Sequence, residues 1–116
     1  MEEVMELTNQ GKVLAFMTKY GLSMKIDPET RFVRARLILE EATELIIGMQ
    51  EKNRKEIIDG IADLLYVVYG AAILFDIDAD TAMDRVHRSN MTKGQDTGHG
   101  KLLKGPGWVP PDFSGL

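Results

Sequence analysis

The chain has 116 residues, 44% of them hydrophobic and 28% charged, with a formal net charge of −4. That length fits one domain over 1–116 with a modest core, and the composition excludes a disordered chain. The acidic balance argues against a nucleic-acid polymer as main partner, and the absence of cysteine excludes disulfides and thiolate zinc sites.

The N-terminus, MEEVMELTNQ, is acidic and lacks the basic and apolar runs of a signal peptide. No stretch is read as approaching the ~18 apolar residues of a membrane span, so a cytoplasmic location without a membrane partner is expected. A first helix is expected over about 2–20, with Val4, Leu7, Val13, Leu14, Met17 and Tyr20 at helical spacing, weakened by Gly11 and stopped by Gly21. Asp27-Pro28-Glu29 reads as an N-cap followed by proline in the first turn, opening a second helix over about 29–50 with a broad apolar face. After the charged break at Glu51 to Lys55, a third helix is expected over about 56–75, almost continuously apolar like the central helix of a bundle. Asp76-Ile77-Asp78 interrupts it, and a fourth, about 79–89, carries Ala82, Met83 and Val86 on one face. From Asn90 to Leu116 the composition turns to Gly, Lys, Pro and Asp, read as an irregular arm. The expected fold is therefore all-α, a four-helix bundle with an irregular C-terminal arm.

Glu40, Glu41 and Glu44 lie inside the apolar second helix, and residues three and four apart share a helix face. Carboxylates that close repel one another and cost desolvation energy, unless a cation sits among them. A solvated acidic face would account for the triplet alone. Asp59 and Asp63 also share a face, however, and Asp63 is flanked by Ala62, Leu64 and Leu65. Antiparallel packing of the second and third helices would bring the two acidic faces together. A cluster of oxygen donors suits magnesium, or manganese, and not zinc. Glu56 is a further candidate, although a carboxylate at a helix start also simply complements the dipole.

The stretches LILEEATEL and GIADLLYVVYGAAILFDID resemble the MazG-like all-alpha nucleoside triphosphate pyrophosphohydrolases, a superfamily that includes phosphoribosyl-ATP pyrophosphohydrolase and the dimeric all-alpha dUTPases. Their signature is E-E-x-x-E on one helix and E-x-x-D on the next. Glu40, Glu41, Glu44 and Asp63 match it, but Gly60 stands where the second motif has its glutamate. Asp59, one residue earlier, is the candidate substitute, and Glu56-x-x-Asp59 is the other way to read the motif. VHRSNMTKG and GKLLKGPGWVPPDF extend the resemblance toward the dUTP-hydrolysing branch.

The resemblance implies magnesium held by Glu41, Glu44, Asp63 and Asp59, with Glu40 orienting or deprotonating the attacking water. It also implies that Asn90 and Lys93 contact the phosphates; Arg88, Lys101 and Lys104 are further cationic candidates. The implied reaction converts a nucleoside or deoxynucleoside triphosphate, dUTP or another non-standard nucleotide among them, to the monophosphate and pyrophosphate. A phosphoribosyl-ATP pyrophosphohydrolase and a non-catalytic nucleotide- or protein-binding helical dimer are the alternatives. Asp84-x-x-His87 resembles half of a di-iron site, but such sites need the pair twice, so His87 is read as a hydrogen-bonded structural histidine. Phe16 is read as core and Trp108 as packing. A thin core around a charged interior leads us to expect a homodimer or a dimer of dimers.

Overall fold

The computed structural model describes residues 7–94 and 102–116, and they form two compact units, Met1–Asp76 and Ile77–Leu116. The described residues hold four helices and no strand: α1 (Asn9–Lys19), α2 (Pro28–Gln50), α3 (Arg54–Leu74) and α4 (Ala79–Asn90). The all-α expectation is met.

Local chemistry sets each boundary. Thr8 caps α1, its Oγ1 accepting the Gly11 amide at 3.0 Å, so this helix starts at Asn9; residues 2–6 of the expected first helix lie outside the described residues. It ends where Gly21 takes φ +60 and the Leu22 amide reaches back to the Met17 carbonyl at 3.0 Å. The Asp27 carboxylate accepts the Thr30 amide at 2.8 Å and Pro28 opens α2, as the sequence indicated. The same reversal closes α2, with the Asn53 amide on the Gly48 carbonyl at 3.1 Å, but here Lys52 occupies the left-handed position at φ 55. Asn53 then caps α3 through the Glu56 amide.

In the first unit α3 packs along both α2 and α1. The α2–α3 pair is antiparallel: Gly48 faces Glu56, Leu45 faces Gly60, and Arg34 faces Gly70. The contact is close because glycines line it. A Cβ on Gly60 would lie 2.9 Å from the Leu45 Cα, inside contact distance. Among the described residues only Val13, Met17 and Leu74 are buried apolar side chains. By length and composition α3 is long and apolar enough to cross a membrane, which corrects the expectation that no stretch came near that size. It nevertheless carries Asp59 and Asp63 and lies against two other helices.

In the second unit Asp78 caps α4 through the Asp80 and Thr81 amides. The arm is irregular yet tied to its own helix. The buried Ser89 donates its hydroxyl to the Val109 carbonyl at 2.7 Å, and the Val109 amide donates to Thr92 Oγ1 at 2.8 Å. Arg85 donates to the Asp112 carbonyl at 2.7 Å. The chain closes on itself where the Gly94 amide meets the Leu103 carbonyl at 2.7 Å, beside Gly105.

Candidate active site

Helix periodicity and the antiparallel register place the acidic motif. Glu41 projects from α2 into a cavity of about 330 Å³ between the helices of the first unit, and Asp63 of α3 lines the same cavity. The Oε2 of Glu41 is buried and has no hydrogen-bond partner. Burial pushes the Glu41 carboxyl above the ordinary carboxylate range, reinforced by the charges of Glu44, Asp63 and Glu40. An orphaned, electron-rich oxygen facing further carboxylates is a place where a hard cation would replace repulsion with attraction. The donor set, all carboxylate oxygen, fits magnesium or manganese. Among the described residues no three acidic or histidine side chains are already drawn within metal-holding reach of one another.

The other predicted residues divide between the two units. Glu44 is exposed, one turn beyond Glu41 and beside it. Glu40 is also exposed and lies 3.5 Å from Arg36 Nε, on the solvent side of α2. Asp59 is exposed, one turn before Asp63 on α3. Gly60 is buried against α2, so the family's glutamate could not stand there without parting the two helices. In the second unit Arg88 pairs with Asp84 at 3.0 Å, and Asn90 ends α4 exposed. Lys93 is half-buried, and Lys104 lies over the Trp108 ring at 4.5 Å. Lys101 and His99 fall outside the described residues.

Two expectations change. Phe16 is not core: it is 42% exposed and lines the Glu41 cavity, edge-on to Tyr66 with ring centroids 5.5 Å apart. His87 is exposed, and its ring makes no hydrogen bond among the described residues, so it is not the bonded structural histidine expected.

Two cavity residues were missed by sequence reasoning. Arg34 stands two helical turns before Glu41 on the same face of α2, and Tyr66 stands three residues after Asp63. That spacing was the available signal. What concealed Arg34 was Gly70, whose missing side chain leaves the space the guanidinium fills: a Cβ there would fall within contact distance of Nη1 and Cζ.

Residues 1–90 match the family described as Phosphoribosyl-ATP pyrophosphohydrolase. The chain belongs to that family. It thereby joins the all-alpha nucleoside triphosphate pyrophosphohydrolase superfamily that the E-E-x-x-E motif indicated, and membership supports a nucleotide pyrophosphohydrolase type of function. A curated relative, Uncharacterized protein L479 of Acanthamoeba polyphaga mimivirus, is 46% identical over 54 residues, covering 47% of this chain. The match spans only 22% of that protein's length.

Proposed function

We propose that the protein hydrolyses a nucleoside or deoxynucleoside triphosphate to the monophosphate and pyrophosphate with magnesium as cofactor. The observation that carries this reading is the buried, unpartnered Oε2 of Glu41, facing Asp63 at one end of an aromatic-edged cavity. Glu41, Glu44 and Asp63, with Asp59 as a fourth donor, would hold the ion, which supplies charge neutralisation at the phosphates. Glu40 accepts a proton from the attacking water. The water oxygen bonds to the α-phosphorus, the bond from that phosphorus to the bridging oxygen breaks, and pyrophosphate leaves. On the family resemblance alone, and with no geometry between the two units implied, Asn90, Lys93, Arg88, Lys101 and Lys104 are proposed as phosphate contacts.

A second substrate reading, phosphoribosyl-ATP, is favoured by the family to which residues 1–90 belong. We further propose a homodimer or a dimer of dimers. Phe32, Leu39 and Ile46 form an exposed stripe along α2 at spacings of seven. Ile58, Ile61, Leu65, Val68 and Phe75 form another, from α3 through its C-cap, at alternating three- and four-residue steps with one skip. Apolar seams of that periodicity suit a helical partner of the same kind.

Pyrophosphate release across a panel of NTPs, dNTPs, damaged nucleotides and phosphoribosyl-ATP, with and without magnesium, tests the activity. Turnover is expected to require the metal, and Glu41→Gln to lower kcat/KM by at least about 100-fold. In metal-free protein at neutral pH the same substitution raises Tm, because a carboxylate held above its ordinary pKa is a destabilising charge there. It also abolishes the magnesium-induced rise in Tm. If no nucleotide turns over but magnesium still raises the wild-type Tm, the non-catalytic binding reading replaces this one.

A further inference from the structure

The cavity that begins at Glu41 and Asp63 continues along α2, past Leu37, to Arg34. Its walls are aromatic and aliphatic, with Phe16 and Tyr66 edge-on to each other. Arg34 is half-buried, and it makes no ion pair or hydrogen bond among the described residues. Seven residues of helix separate it from Glu41, a span of about 10 Å. One end of the cavity is thus acidic, the middle apolar and aromatic, and the far end a guanidinium that nothing engages.

A guanidinium carries five N–H donors and no acceptor. At the base edge far from the sugar it can donate to a keto oxygen, and in a 6-keto purine also to N7 beside it, but it meets an exocyclic amino group donor against donor. Aromatic walls suit the flat face of a base. The triphosphate, by contrast, has little reason to enter an apolar channel with a single cation when a metal ion held at the carboxylate end would match its charge.

We propose that Arg34, seated in the opening left by Gly70, reads the nucleobase and selects those with a keto group at pyrimidine position 4 or purine position 6 over their amino counterparts. This rests on the nucleotide pyrophosphohydrolase reading and adds to it the class of base and the residue that recognises it. Gly70 is the positioning residue. A methyl group there would displace the flexible guanidinium without removing it, and α3 would gain a better helix former.

The test compares kcat/KM for dUTP against dCTP, and for dITP against dATP, in wild type, Arg34→Met and Gly70→Ala. Wild type is expected to favour the keto member of each pair by about 10-fold or more. Both variants are expected to bring the two ratios toward one, with the keto substrates losing about 10-fold more than the amino ones. An equal loss on all four substrates, or unchanged ratios in both variants, overturns the proposal. Titration of metal-free protein with uridine and cytidine, followed by NMR at the Phe16 and Tyr66 rings, separates this inference from the reading beneath it. A preference for uridine that both variants abolish upholds base selection even if no triphosphate is cleaved. Absence of that preference in a protein that does cleave triphosphates overturns base selection alone.

Discussion

At the scale of single residues, two chain reversals show how backbone conformation and charge are settled locally. Gly21 and Lys52 close α1 and α2 with the same amide-to-carbonyl pattern, but only the glycine takes positive φ without steric cost. Lys52→Gly is therefore expected to stabilise the protein by about 0.5–1 kcal/mol in urea unfolding, the relief of the Cβ exceeding the added freedom of the unfolded chain. Asp27 gives a pH-dependent case. Its bonds from Thr30 hold its carboxyl below the ordinary range. A folded pKa below the unfolded one contributes stability above the unfolded value and loses it as pH falls through the folded one. Wild type should thus lose stability relative to Asp27→Asn, which keeps the acceptor without the charge, from about pH 4 downward. Unfolding midpoints measured between neutral and acid pH check this.

At the scale of helices, α2 and α3 approach through small residues, and the acidic motif depends on that approach. Gly60 lies against the Leu45 backbone, which cannot swing aside as a side-chain tip could. Gly60→Ala would improve intrinsic helix propensity by about 1 kcal/mol, yet the clash is larger. The expected result is a net loss of about 1–3 kcal/mol, read from chemical denaturation. Gly60→Glu, which restores the family's motif on paper, is expected to destabilise further and to lower magnesium affinity, because spreading the helices moves Asp63 away from Glu41. A gain in activity from that substitution would refute this account.

At the scale of the molecule, the described chain leaves more apolar surface outside than one small unit can cover. Leu39 is 67% exposed and Phe32 66%, while buried apolar side chains number only the three of the α1 and α3 contacts. Surfaces this apolar are normally covered by a partner. Sedimentation is expected to show a homodimer or larger, with Tm rising as protein concentration rises. Ile61→Glu, which places a charge on the α3 seam, is expected to shift the species toward the single-chain mass and to lower that Tm. A wild-type chain sedimenting at single-chain mass would remove the dimer from the proposed function.

The sequence by itself determined the helical class, the cap at Asp27, and which carboxylates share a face, because these follow from residue order and from spacings of three and four along one chain. It also carried the family, since Glu40, Glu41, Glu44 and Asp63 survive as a written pattern. The cavity was decided only by tertiary structure. Which of the motif's three glutamates turns inward depends on the register of α2 against α3, and that register depends on Gly48, Gly60 and Gly70 admitting a neighbouring helix or its side chain. A glycine reads in sequence as an absence, so Gly60 looked like a lost ligand and Gly70 like nothing at all. In three dimensions the first is the contact that sets Asp63 opposite Glu41, and the second is the opening that Arg34 fills.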